Sequence, residues 1–271
     1  MASAMLGSGF AGAVYASLKR QLEPGVSIVE SGVFNEEREI VRSRLLQLLE
    51  GEPRPIALIG ICLRFDPPEL AAFRGAGAPV ILVDEEAEGA STVACDNFAG
   101  GYLAGQHLAK TGRRAIAVVA GDMRRNGSYN AVQRVKGFAK ACAEHRLRFS
   151  MDEVIEVNHY TRKDGVNAMT RLLAERRPID AVFCAAGDAT ATGMLAVARE
   201  KRIKVPEQLA ILGYDDSPMA AIATPPLSSV RQPPERFAVE AYRLATERRA
   251  ECLARPQKIL FDPSLVVRQS A

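Results

Sequence analysis

Short apolar runs rich in β-branched residues alternate with longer amphipathic segments along most of this 271-residue chain. The runs are Val26–Val29, Ile56–Ile59, Val80–Val83, Ala115–Ala120, Val154–Val157, Ala181–Cys184 and Leu209–Leu212. Near-continuous apolar runs of this length suit strands buried on both faces, and therefore a parallel sheet. The segments between them carry the spacing of helices. Val41, Leu45, Leu48 and Leu49 share one helical face, as do Ala131, Val135, Phe138 and Cys142, and again Ala191, Met194, Leu195 and Ala198. Pro233 and Pro234 open a last helix, proline being well tolerated in a first turn. On that helix Phe237, Ala241, Leu244, Ala245 and Cys252 fall on one side. Repeated strand–helix alternation implies a doubly wound α/β fold. Seven or more strands could form one sheet or two, and periodicity alone does not choose between them.

Composition narrows the function. The chain is 48% hydrophobic and 25% charged, the balance of a globular protein. Its net charge of +3 argues neither for nor against nucleic acid. No apolar run approaches the ~20 residues that span a bilayer, so no membrane partner is expected. The segment Met1–Leu6 has no basic stretch followed by a long apolar core, and is not read as a secretory signal. Cys62, Cys95, Cys142, Cys184 and Cys252 are scattered and form no Cys-x-x-Cys pair. They are expected to be reduced, mostly buried thiols of a cytoplasmic protein. His107, His145 and His159 are not paired at metal spacing, so no metal is expected. There is no phosphate loop ending in Gly-Lys-Ser/Thr and no Gly-x-Ser-x-Gly elbow, and Gly7-Ser8-Gly9 lacks the spacing of a dinucleotide fingerprint. Nothing assembles an acid, a base and a nucleophile. Neither an enzyme nor a cofactor is expected.

Candidate binding residues gather where apolar runs end. Ligands of open α/β sheets bind outside the carboxyl ends of the strands. Asp215 and Asp216 stand at such an end, after Gly213 and Tyr214. We expect Asp215 to face a ligand, accepting sugar hydroxyls or a base N–H, and Asp216 to be structural; helix capping is the alternative. Asp84 follows Val80–Val83 in the same topological position, with turn chemistry as its alternative. Asp188 precedes a helix, where capping is the better reading, though it remains a ligand candidate. Arg134 lies on or beside the apolar face marked by Ala131 and Phe138. Arginine is rarely buried without a partner, and its planar fork makes paired hydrogen bonds to hydroxyls or a carboxylate. An internal salt bridge is the alternative. Gln232 could touch ligand or brace a hinge. Arg64, Arg124 and Arg125 also follow strand-like runs; convergence with Arg134 would favour an anionic ligand, although a solvated surface is the commoner fate.

Several phrases, taken in order, resemble the lactose-repressor (LacI/GalR) family of bacterial transcription regulators in its effector-binding core. They are Val93-Ala-Cys-Asp-Asn97, Gln106-His-Leu-Ala-Lys-Thr-Gly112, Arg134-Val-Lys-Gly-Phe138, Asp180-Ala-Val-Phe-Cys184 through Asp188, Ile211-Leu-Gly-Tyr-Asp-Asp216, Pro225-Pro-Leu-Ser-Ser-Val-Arg-Gln232 and Leu265-Val-Val-Arg268. The resemblance covers nearly the whole chain. It implies two doubly wound parallel-sheet lobes, of the periplasmic-binding-protein type, joined by three crossovers with the ligand between them. The crossovers are expected near Lys110–Arg114, Leu227–Gln232 and Leu260–Pro263. The lobes would then be 1–112 plus 232–259, and 113–231 plus 260–271. The resemblance further implies that Arg134 contacts effector, that Tyr160 supplies an aromatic platform in its loop, and that Phe10 lies near the ligand unless it is ordinary core. Gly187 stands where family members often carry an asparagine that touches ligand.

The first strand looks short, since Ala2–Leu6 is all that precedes Gly7. No helix-turn-helix module precedes it, so operator DNA would be met only through a module not in this chain. The family implies a homodimer and a small-molecule effector, most simply a sugar or sugar derivative. The alternative is a solute-binding protein of a sugar importer, since such proteins share the fold.

Overall fold

The computed structural model describes residues 2–3, 9–29, 31–32, 38–123, 128–175 and 178–271. Along the chain lie β1 (Ala2–Ser3), α1 (Gly9–Gln21), β2 (Ser31–Gly32), α2 (Arg38–Glu50), β3 (Leu58–Ile61), α3 (Pro67–Gly75), β4 (Val80–Val83) and β5 (Ser91–Cys95). Then come α4 (Asn97–Lys110), β6 (Ile116–Gly121), α5 (Tyr129–Glu144), β7 (Ile155–Val157), α6 (Arg162–Ala174), β8 (Ala181–Cys184), α7 (Asp188–Glu200) and β9 (Ala210–Asp215). Last are α8 (Pro218–Ile222), β10 (Ser228–Arg231), α9 (Pro234–Ala245), α10 (Arg249–Ala254), β11 (Lys258–Phe261) and β12 (Ser264–Val266).

The chain divides into two units, Met1–Cys95 with Pro233–Phe261, and Asp96–Gln232 with Asp262–Ala271. The first holds a six-stranded sheet in the order β11-β5-β4-β3-β1-β2, every pairing parallel. One face is covered by α1 and α9, through Val14, Leu18, Phe237, Ala241 and Leu244. The other packs Leu45 of α2 with Leu70 and Phe73 of α3. The second unit holds a sheet in the order β12-β10-β9-β8-β6-β7, parallel except for the β10–β12 pair. Met169, Leu172, Met194 and Leu195 of α6 and α7 bury one face, and Leu108, Val135 and Phe138 of α4 and α5 the other. Both units are therefore doubly wound. In the second, chain order reverses at β6, which lies between β7 and β8, and ligands of such sheets collect at that kind of switch point.

The expected strands at Val80–Val83 and Ala181–Cys184 are found over their whole length. Val26–Val29 is not a strand: Val29 is exposed, and the pairing with β1 falls on Ser31–Gly32. The expected last helix is two. It leaves helical geometry at Thr246 (φ −113°, ψ −80°) and restarts at Arg249, while Phe237 through Cys252 still bury together. Arg249 fixes the restart by donating to the carbonyls of Ile56 and Gly77.

The expected boundary at 112 is also corrected, because α4 belongs to the second unit. The cause is a backbone-to-backbone fit between α4 and α5. A Cβ on Gly101 would stand 1.8 Å from the Arg134 carbonyl oxygen, and one on Gly137 would stand 1.9 Å from that of Phe98. Only glycines admit so close a contact. The opposite face repeats the device, with Gly165 of α6 against Thr190 and Gly193 of α7 against Arg162.

Candidate functional site

The loops that leave the carboxyl ends of β6 to β10 gather the polar residues of the second unit. Asp96 caps α4 by accepting the Ala99 N–H at 2.8 Å, which sets the next residue, Asn97, inward and buried. Asn97 Oδ1 accepts from Arg134 Nε at 2.7 Å and from the Tyr214 hydroxyl at 3.2 Å. Arg134 rises from α5, is 5% exposed, and also donates to the Ala185 carbonyl at 3.0 Å. Its guanidinium carbon lies 3.8 Å from the centroid of the Tyr214 ring. The arginine is thus held against an aromatic ring while it donates to two neutral oxygens, a cation–π contact worth about 2 kcal/mol when desolvated.

Asp215 follows Tyr214 directly. It has φ 98°, a conformation that non-glycine residues hold only under constraint. Its Oδ1 accepts from Gln232 Nε2 at 2.7 Å. A Cβ on Gly187 would stand 2.7 Å from Asp215 Oδ2, so the glycine that replaces the family's asparagine is what leaves the carboxylate its place. Gln232 is 2% exposed, and its Oε1 has no hydrogen-bond partner among the described residues. Tyr160 lies across the end of β6, since a Cβ on Gly121 would stand 2.2 Å from its hydroxyl. Arg134 and Asp215 are brought to neighbouring strand ends: Ala185, which binds the first, lies two residues before Gly187, which packs on the second.

Asp216, expected to be structural, has Arg231 Nε at 2.6 Å from Oδ2 and Arg268 Nη2 at 2.6 Å from Oδ1. Asp188 is neither the cap of α7, a place taken by Gly187, nor open to a ligand. It is 1% exposed. Its Oδ2 accepts from Ser217 N at 2.7 Å and Ser217 Oγ at 3.0 Å, and its Oδ1 from Ser229 Oγ at 2.7 Å. The ligand role expected of Asp188 is therefore replaced by a bracing one. Burial pushes its carboxyl up from an ordinary 3.8 to about 6, against the three hydrogen bonds that favour the anion. The folded state holds this proton more tightly than the unfolded chain. Stability from this group is therefore full below the ordinary carboxyl range and is lost as pH rises through about 6.

Phe10 and Asp84 belong to the first unit. Phe10 meets Phe237 edge-on at 5.4 Å, the core packing named as its alternative. Asp84 is buried after β4 with φ 57°, its N–H donated to the Val93 carbonyl at 3.0 Å. Arg64 is exposed in that unit, and Arg124 and Arg125 lie outside the described residues. Sequence reasoning passed over Asn97, Tyr214, Ser217 and Ser229, and also Asp122, buried directly after β6. Asn97 and Tyr214 were visible as members of the Asp96-Asn97 and Gly213-Tyr214-Asp215-Asp216 phrases, though not as the two supports of Arg134. Four of the five thiols are buried and Cys62 is half-buried, none of them in a disulfide among the described residues. No helix among the described residues is long and apolar enough to cross a membrane.

The ends of these parallel strands thus bring together an oriented carboxylate, an amide oxygen, an aromatic ring and a guanidinium. Residues 106–271 match the periplasmic binding protein-like domain, and the chain belongs to that family, as the effector-binding core of a LacI-type regulator. It is 31% identical over 203 residues to the HTH-type transcriptional repressor PurR of Histophilus somni (strain 2336), covering 74% of this chain and 59% of that repressor. To the repressor of the same name from Escherichia coli O1:K1 / APEC it is 27% identical over 265 residues, 96% of this chain and 75% of the relative. Among solved structures it resembles the transcriptional regulator CelR–cellobiose complex, with a TM-score of 0.82, 29% identity, and coverage of 97% of this chain and 79% of that one. These relatives are transcription regulators, not enzymes, and lend the importer reading no support.

The backbone at Asp215 separates binding from stability. Asp215→Gly removes the carboxylate and also the cost of a positive φ, whereas Asp215→Ala removes the carboxylate and keeps that cost. We expect the glycine variant to be more stable than the alanine variant by about 1–2 kcal/mol in urea unfolding.

Proposed function

We propose that the strand ends of the second unit contact the effector of a transcription regulator, and that the effector is a small, uncharged, hydroxyl-rich compound, a sugar or sugar derivative. Gln232 carries this reading. Its amide nitrogen is turned to Asp215, which fixes the buried Oε1 as an acceptor in want of a donor. A buried acceptor without a partner costs about 1–3 kcal/mol, and a ligand hydroxyl relieves that cost. Asp215 adds a second acceptor, Tyr160 a ring for the apolar face of a sugar, and Arg134 a fixed positive charge. The relative solved with cellobiose is consistent with this class.

In the proposed mechanism, effector binds one conformation of the core better than another and shifts the population between them. A homodimer passes the shift to DNA-reading modules on paired half-sites, with a coupling of ~1–3 kcal/mol. Ile222 on α8 is 83% exposed with Met219 beside it, an apolar surface suited to a second copy. Light scattering should give twice the 29.3 kDa of one chain at micromolar concentration; a single-chain mass would count against this assembly.

The effector reading is tested by thermal unfolding against cellobiose and other neutral sugars, sugar phosphates, sugar acids, nucleobases and nucleosides. A neutral sugar at 100 times its dissociation constant should add ~2.7 kcal/mol. Stabilisation by anionic compounds or bases alone would overturn the assignment of class, and no shift across the panel would overturn the sensor reading.

A further inference from the structure

We infer that Asp188 is the positioning residue of the Asp215–Ser217 turn, and that uptake of one proton by its buried carboxyl rewrites the hydrogen bonds that hold this turn. Its bearing on effector capture rests on Asp215 being ligand-facing, as proposed above.

The carboxyl has a socket of its own. A Cβ on Gly213 would stand 2.4 Å from Asp188 Oδ1, so β9 gives up a side chain to admit it. Three donors fill its oxygens: the Ser217 N–H, the Ser217 hydroxyl and the Ser229 hydroxyl. The Ser229 oxygen also accepts the Asp216 N–H at 3.1 Å. The amides of two successive turn residues therefore hang from Asp188, one directly and one through Ser229. The turn needs such a hold, because Asp215 and Asp216 both have positive φ, 98° and 50°.

The charged groups around it do not compensate its charge. From the β9–α8 turn come Asp215 and Asp216, both acids, and the latter raises the proton affinity of Asp188. Arg231 of β10 and Arg268 beyond β12 are both spent on Asp216. Cys184 of β8 donates to the Gly187 carbonyl at 3.4 Å, and burial keeps its thiol neutral. On α6, which packs against α7, Asp164 is occupied by capping Thr161. Among the described residues the carboxylate is held by hydrogen bonds, with no ion pair.

A proton on Oδ1 turns that oxygen from acceptor to donor toward Ser229. The Ser229 hydroxyl, which already accepts the Asp216 amide, must then point its own proton elsewhere. A proton on Oδ2 instead competes with the Ser217 amide, which cannot reverse, and forces the Ser217 hydroxyl round. No bond other than O–H is made, and the proton comes from solvent. The first route makes the Asp216 amide share the Ser229 oxygen with a second donor, the second loosens the Ser217 amide, and both remove a negative charge beside Asp215.

The test is the pH dependence of the Asp216 and Ser217 amide resonances in the 15N-labelled chain, without effector. Both should move with one shared midpoint near 6. Asp188→Asn, which keeps an acceptor for the Ser217 amide and a donor for Ser229, should leave the turn in place and abolish the titration. Asp188→Ala should displace both amides at every pH. Silent amides between about pH 5 and 7.5, or an unchanged midpoint in the asparagine variant, would overturn the inference. Because no effector is present, a failed effector panel leaves this result standing; silent amides beside a clear effector shift sink this inference alone.

Discussion

Arg134→Ala is expected to destabilise the second unit by about 3 kcal/mol and to abolish the effector response. The stability loss has two sources. The Ala185 carbonyl and Asn97 Oδ1 each lose the bond from Arg134; a buried polar group left short costs about 1–3 kcal/mol. The face of Tyr214, fully buried, loses a cation–π partner and gains a void. At about 2–4 °C per kcal/mol for a domain of this size, the melting temperature should fall by roughly 6–12 °C. Arg134→Lys separates bracing from binding. An ammonium keeps the charge, but it loses the planar fork that reaches Asn97 and Ala185 together. We expect a smaller stability loss, about 1–2 kcal/mol, with effector affinity still down at least about tenfold. Calorimetric titration well below the melting point checks this. Wild-type affinity in a folded lysine variant would make Arg134 a brace and nothing more.

The strands buried on both faces were legible because nothing but apolar packing specifies them. β4 and β8 are continuous runs, and each stands over its full expected length. β5 and β10 were illegible as strands for the opposite reason. Their serines are satisfied internally, Ser91 by the Gln257 amide, Ser228 by Ser270 and Arg268, and Ser229 by Asp188 and Asp216. Such pairings join residues far apart in the chain and leave no periodic trace. Asp188 was misread on the same ground: its position before a helix is local, while its partners come from β10 and the β9–α8 turn. Asp215 and Gln232 could be nominated from their places at strand ends, but their mutual bond, and the vacancy at Gly187 that permits it, exist only in three dimensions. The first unit was assigned its 112th residue because nothing in the spacing of α4 says which sheet the helix covers.

That decision is made by glycine, and it supports the second large prediction. Gly137→Ala should cost the second unit at least about 1–3 kcal/mol, the range for forcing one methyl group into a filled space. The site argues for the upper end. The added carbon would meet the backbone of α4, at the Phe98 carbonyl oxygen, and not a side chain able to swing aside. Relief requires the two helices to part. Arg134 sits one turn before Gly137 on α5, and Asn97 opens α4, so parting them lengthens the 2.7 Å bond that orients the guanidinium. The variant should therefore lose effector affinity although its altered side chain is remote from the strand ends. Gly105→Ala is the control on the same seam. Its new carbon would meet the Ala141 methyl group at 2.6 Å, one helical turn further along, a shallower overlap than the 1.9 Å at Gly137 and one that a smaller parting of the helices relieves. We expect a milder loss of stability there and near-normal affinity. Equal loss of affinity in both variants would mean that the seam sets overall stability without aiming Arg134.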